Sequence, residues 1–222
     1  MTLSLKKPSQ NTDIQSVITA DIVNSSQLKP NEFKKLVSLI SRDYKKSDII
    51  EFYRGDSFQV LVRHGYDAFK CMVLNRLQAI SFSNGPRIDI RQSIRVGVVP
   101  LEVKQIGSFV NDTFLKSGRA FDQFHEGKVT GNLLISCGNP KYDFTYTIIA
   151  DYLDTLFSLI TPVQAKVAYR YMAGQTQKEI AENLKKTTAT VNNQMKLARI
   201  DEIVNLINKY ETLTKDFEIH GQ

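Results

Sequence analysis

Two carboxylates and a cluster of amide and basic side chains are the residues of this chain whose types and spacing can do chemistry. Asp21 closes an apolar stretch, QSVITAD (residues 15–21), and Asp56 sits in a Gly55-Asp56 turn pair between two further apolar stretches. Two carboxylates brought to one end of a sheet can hold a divalent cation, and through it the phosphates of a nucleotide. Two plainer roles stay open for the same residues. Gly-Asp is a common turn pair because both residues tolerate turn geometry, and Asp21 can cap the loop after its strand. Further along, Thr188, Ala189, Asn192, Asn193 and Lys196 fall on the outer side of a helical stretch. Asparagine can contact adenine with both amide groups, and lysine or threonine can reach bases or phosphates. Lys178, Lys185, Lys186 and Arg199 lie around them as cations for phosphates, which position a module on a duplex without reading its sequence. The other reading of that stretch is a small helical bundle that serves as a dimer or partner surface.

The elements that must position these residues follow from hydrophobic periodicity. Residues 15–21 read as a strand, and Pro30 and Asn31 open a helix to about residue 46 with Phe33, Leu36, Val37 and Ile40 on one side. Strands at 48–54 and 57–63 flank the Gly55-Asp56 hairpin, and a second helix spans 65–80. A strand at 91–99, a helical stretch at 109–127 and a strand at 129–137 follow. This order predicts an α+β domain over residues 15–139, a ferredoxin-like, split βαβ antiparallel sheet with helices on one face. In such a sheet the first strand lies beside the hairpin, which brings Asp21 and Asp56 together. Residues 1–14 read as a loose polar arm and 140–160 as a connecting helix.

Residues 161–222 read as an all-α module. Thr161 caps a helix with Pro162 in its first turn and an apolar face of Val163, Val167 and Tyr171, and Gly174 stops it. Thr176 and Glu179 form a capping box for a second helix with Ile180, Ala181 and Leu184 inside. Thr187 or Thr188 caps a third, with Val191, Met195 and Ala198 inside. Two short helices crossing at a tight turn are a helix-turn-helix. Ala181 falls where the helices touch, and Val191, ten residues on, plugs the joint.

Thr161, Gln164, Gly174, Thr176, Glu179, Ile180, Ala181, Thr190 and Val191 make this stretch resemble the C-terminal DNA-binding modules of LuxR-type regulators and sigma-factor region four. The departure is Lys185-Lys186, where those families hold glycine and an aliphatic residue. The N-terminal region resembles class III nucleotidyl cyclases and, more loosely, the diguanylate-cyclase fold, through Asp21-Ile22, Gly55-Asp56 and the strand Ile94-Arg95-Val96-Gly97-Val98. That resemblance implies a metal and nucleotide site at Asp21, Ile22 and Asp56, taking Mg2+ with a nucleotide. The positions that would stabilise a transferring phosphoryl group hold Asp122 and Glu126 here, the purine-reading lysine is Phe52, and Arg54 and Arg119 remain for phosphates. A carboxylate repels the charge that develops on phosphate, so the resemblance implies a cyclase-like domain without cyclase catalysis. Together with Ser117-Gly118-Arg119-Ala120-Phe121, the whole is similar to the SatD family of bacterial proteins. It implies a DNA-binding transcriptional regulator, a homodimer with a nucleotide as effector. The alternative is a metal-dependent nucleotide binder that uses Asp21 and Asp56.

Composition bounds these readings. The 222 residues carry a net charge of +6 and a pI near 9.2, which suits an anionic partner. Residues 151–222 hold 9 Lys+Arg and 9 Asp+Glu, so the surplus lies in residues 1–150, with 20 against 14. Cys71 and Cys137 sit in apolar surroundings and read as buried free thiols of a reducing compartment, the cytoplasm. No apolar run is long enough to cross a membrane. His64, His125 and His220 lack ligand spacing, Ser57 lacks the surroundings of a nucleophile elbow, and the chain has neither a P-loop nor a dinucleotide glycine fingerprint.

Overall fold

The computed structural model describes residues 12–53, 55–107 and 111–221. Its centre is β1 (Thr12–Val23), a 12-residue strand buried on both faces. The expected arm at 1–14 therefore gives way to strand from Thr12, and residues 1–11 lie outside the described residues. Side chains alternate across a strand. Ile14, Ile18, Ala20 and Ile22 face one layer, and Val17 faces the other.

The remaining α+β elements are α1 (Pro30–Arg42), β2 (Ile49–Tyr53), β3 (Ser57–Val62), α2 (Ala68–Ser81), β4 (Asp89–Pro100), α3 (Asp112–His125) and β5 (Leu133–Ser136). The sheet order is β2-β3-β1-β4-β5, antiparallel except where β5 joins β4. The first four strands hold the split βαβ order, with β1 between β3 and β4. The α+β class stands, and the helices are disposed differently in one respect. α1 and α2 cover one face, while α3 lies on the other. Val17, Leu61 and Val99 leave a second apolar layer that Phe114 of α3 covers. Beside it Ser117 hydrogen-bonds Thr19 across 2.8 Å and accepts at its carbonyl from the Ser93 hydroxyl at 2.7 Å.

The C-terminal elements are α4 (Pro140–Leu159), α5 (Pro162–Met172), α6 (Gln177–Leu184), α7 (Thr188–Leu197) and α8 (Ile200–His220). One hydrophobic core runs from the sheet through α2 and α4 into α5, α7 and α8. The inner face of α5 differs from the expected Val163–Val167–Tyr171 stripe. Val163 and Tyr171 are 59% and 38% exposed, while Ala165, Val167 and Ala168 are buried. The reason is tertiary: α5 packs on α2, and Ala165 and Ala168 are small enough to let the two helices close. At the other end α8 stacks Tyr210 on Phe69 at 5.0 Å and sends its hydroxyl to the Gly65 carbonyl at 3.1 Å. A side chain at Gly65 would meet Ser16 and the backbone of Gln15.

A buried ionic cluster fixes α4 to this body. The Arg76 guanidinium donates to both Asp89 oxygens at 2.9 and 3.0 Å, pairs with Asp154 of α4, and lies 4.6 Å over the Phe157 ring. Burial alone would pull its pKa down, yet Asp89 and Asp154 hold it above the usual arginine value. Arg87 donates to the carbonyls of Phe157 and Ile160 at the end of α4, satisfying acceptors a helix terminus leaves open. Among the described residues no helix is long and apolar enough to cross a membrane.

Candidate nucleic-acid interface

Each helix of the α5–α6–α7 unit starts at a threonine. The Thr161 hydroxyl accepts from the Gln164 amide at 3.3 Å, and Gln164 Oε1 accepts from the Thr161 amide at 2.9 Å. Thr176 and Glu179 repeat the arrangement, with Glu179 accepting from the Thr176 amide at 2.7 Å and from its hydroxyl at 2.8 Å. These bonds hold the Glu179 carboxyl below the usual carboxylate range. The Thr187 hydroxyl accepts from the Thr190 amide at 3.1 Å, so Thr187 is the cap of α7. Capping of this kind contributes roughly 1 kcal/mol per helix. Inside the unit Ile180, Ala181, Val191, Met195 and Ala198 are buried and Leu184 is half-buried, the pattern expected from sequence.

The turn between α6 and α7 settles the Lys185-Lys186 departure. Lys185 takes the left-handed conformation at φ 52° that glycine usually supplies. Its amide donates to the Glu182 carbonyl at 3.2 Å and the Lys186 amide to the Ala181 carbonyl at 2.9 Å. The two bonds are a Schellman motif, so the turn geometry persists at a cost of roughly 1 kcal/mol for a side chain in that region.

The outward residues follow from this geometry. Thr188, Ala189, Asn192, Asn193 and Lys196 are all exposed on α7, and Lys178, Lys185 and Lys186 are exposed on α6 and the turn. Arg199 differs from the other cations. It sits at φ 52° as the cap of α8, and its Nε contacts Glu202 Oε1 at 2.6 Å.

At the far end of the sheet, β1 and the β2–β3 hairpin bring Asp21 and Asp56 side by side, as the split βαβ order predicts. Asp21 lies opposite Ser57 in register, and the Ile22 amide donates to the Asp56 carbonyl at 3.1 Å. Each carboxylate already has a partner. Asp21 takes both oxygens to Arg91, directly opposite on β4, at 3.0 and 2.6 Å. Asp56 accepts from the Ser25 hydroxyl at 2.6 Å. Hydrogen bonding to Asp21, with the added field of Asp56, holds the Arg91 guanidinium above its usual range. The guanidinium is therefore a built-in cation that neutralises Asp21. Asp122, Arg119 and Glu126 are exposed on and just after α3, with Glu126 paired to Lys128, and Arg54 lies outside the described residues. Among the described residues no group of three or more His, Cys, Asp or Glu gathers as a metal site. Cys71 and Cys137 are free and buried, and burial pushes both thiols up to about 12.

Sequence reasoning missed Arg91. It begins the predicted fourth strand, and only the register of that strand against β1 turns it toward Asp21. It also missed the contact between Asp43 and Tyr169. The Tyr169 hydroxyl donates to Asp43 Oδ1 at 2.9 Å across 126 residues of sequence, a separation no local pattern reveals.

The family model of ECF sigma factors matches residues 124–206, a span that contains all of α4 through α7. No curated protein matches the chain. Among solved structures, an EAL/GGDEF domain protein from M. capsulatus is similar at 16% identity and a TM-score of 0.33, covering 55% of this chain and 84% of that one.

Proposed function

We propose that the chain is a DNA-binding transcriptional regulator that enters the major groove with α7. The observation that carries this reading is the outward face of α7. Thr188, Ala189, Asn192, Asn193 and Lys196 are exposed together, above a helix-turn-helix whose caps and turn are fully formed. In this reading Asn192 and Asn193 read base edges, and Lys178, Lys185, Lys186 and Arg199 hold phosphates, Arg199 after exchanging Glu202 for the backbone. The sigma-factor family match over the same residues supports it. The α+β domain is then a sensory or dimerising body similar to the cyclase-like part of the SatD family, with a nucleotide as effector and a homodimer as the DNA-bound form.

Fluorescence anisotropy of labelled duplex from upstream of the protein's own gene, at two salt concentrations, tests the reading. Binding should fall with salt and keep a preference over random DNA. Asn192→Ala with Asn193→Ala should flatten that preference by about 1–3 kcal/mol for each base edge no longer read. Unchanged preference would remove α7 as the reading helix. Absence of binding at either salt would make the unit an assembly surface. Calorimetry with ATP or GTP and Mg2+ tests the effector: no heat and no thermal stabilisation would remove it.

A further inference from the structure

The charge distribution poses a problem for a DNA-binding unit at the C-terminus, since residues 151–222 are neutral overall and the surplus lies in residues 1–150. The packing of α5 on α2 answers it. That packing leaves a depression of about 500 Å³ where the end of α1, the start of α2 and the end of α5 meet. Arg42, Lys45 and Lys70 line it on the α+β side, and Ala173 and Gly174 line it on the other. Gly174 lies two residues before Thr176, the cap of α6, and Lys178 follows in the first turn of that helix.

In a bound helix-turn-helix the helix that precedes the recognition helix crosses the phosphate backbone, and its N-terminus offers amide groups to phosphates. The chain passes from this depression at Gly174 to the α6 cap at Thr176 within two residues. Resting on the DNA-binding reading above, we propose that Arg42 and Lys70, with Lys45 beside them, form a second phosphate-contact patch by which the α+β domain grips the backbone flanking the groove that α7 reads.

The acids in the depression leave that patch cationic. Asp67 is paired with Lys45 at 2.6 Å, and Asp43 turns one oxygen to the Tyr169 hydroxyl and buries the other. Arg42 and Lys70 are exposed and carry the surplus. A duplex extending past the α7 half-site fits this row of charge. An acidic protein segment or a small anion would fit the charge without needing its place two residues from the α6 cap.

The test uses the full chain and the salt dependence of DNA binding. Arg42→Gln with Lys70→Gln should lower the slope of log K against log salt by about 2, since each phosphate contact contributes about 0.9. Preference for the specific sequence should stay unchanged, because phosphate contacts carry no sequence information. The effect should disappear on a duplex trimmed to the α7 half-site. Lys34→Gln with Lys35→Gln, exposed on α1 away from the depression, is the equal-charge control and should leave the slope unchanged. A slope unmoved by Arg42→Gln/Lys70→Gln, or moved equally by the control, overturns the patch. So does an equal drop in slope on the trimmed duplex. If Asn192→Ala/Asn193→Ala still alters preference in that case, only the patch fails. If the unaltered chain does not bind DNA, both readings fail together.

Discussion

Raising the pH should weaken the seam between α1 and α5, and Asp43 is the cause. Asp43 follows the last turn of α1, and its Oδ1 accepts from Tyr169 of α5. Its Oδ2 is buried with no hydrogen-bond partner. Burial pushes the carboxyl from 3.8 up to about 7, against a smaller opposing pull from the Tyr169 hydroxyl. The groups around it are Arg42 and Lys45, the Tyr44 phenol, and the Cys71 thiol, which donates to the Asp43 carbonyl at 3.3 Å. The folded chain keeps this proton to higher pH than the unfolded chain. Its contribution to stability is therefore complete below about pH 4 and is lost as the pH climbs to about 7. Three pH units at about 1.4 kcal/mol each set a ceiling near 4 kcal/mol, which the partial exposure of Asp43 reduces to about 2–4 kcal/mol. Asp43→Asn keeps the oxygen that accepts from Tyr169 and cannot ionise. Urea unfolding of both proteins across about pH 4 to 8 isolates the effect, because every other titrating group is common to both. The variant should gain on the parent steadily with pH, by about 2–4 kcal/mol at the top of the range. Parallel curves, or a variant that loses ground as the pH rises, would refute the assignment.

Three further outcomes follow from the same geometry. Lys185→Gly should raise stability by about 0.5–1 kcal/mol in urea titrations, since glycine meets no penalty at φ 52°, and should lower the salt slope of DNA binding by about 1 if Lys185 holds a phosphate. Arg76→Met should cost about 3–5 kcal/mol, because it leaves buried Asp89 only the longer pair to Arg87 at 3.4 Å and removes the cation from Asp154; a cost under about 1 kcal/mol would show that the cluster relaxes into water. Arg91→Ala should uncover Asp21 beside Asp56, so thermal stabilisation by millimolar Mg2+ should be larger in the variant than in the parent. Equal stabilisation of the two would show that Arg91 does not compete with a cation there.

Periodicity made the elements legible because the helix-turn-helix buries one side of a regular repeat and the strands run as short apolar stretches between turns. The caps Thr161, Thr176 and Thr187 were readable for the same reason: each acts within three residues of itself. What escaped was set by long-range packing. Val163 and Tyr171 have the helical spacing of an inner face, yet α5 turns Ala165 and Ala168 inward because α2 demands close approach. Hydrophobicity ranks Val and Tyr above Ala, so the pattern favoured the wrong side. α3 crosses to the opposite face because Val17, Leu61 and Val99 alternate against the main core, a signal spread over three strands. At the Asp21–Asp56 site the pair of acids was legible and its neutralisation was not. Whether an arginine on β4 points at Asp21 depends on a register that no single strand reveals.

The docking of the helix-turn-helix limits how a signal could reach it. α5 shares its core with α2, α8 with Gly65 and Phe69, and α4 is held by Arg76, Asp89 and Asp154. A unit tied at three places cannot swing as a tethered domain does, because breaking any one tie exposes buried apolar surface or an unpaired charge. On the DNA-binding reading, the angle of α7 to the α+β body is then a fixed property of the whole chain. In a homodimer the spacing of the two half-sites is set by where the α+β bodies meet, rather than by a linker. Two routes by which an effector can change DNA binding differ in their signature: it alters how two rigid bodies pair, or it loosens the seam at Asp43 and Tyr169. The second route leaves a signature the first does not. It should flatten the pH dependence of stability as well as change affinity, because it exposes the carboxyl whose burial holds the Asp43 proton.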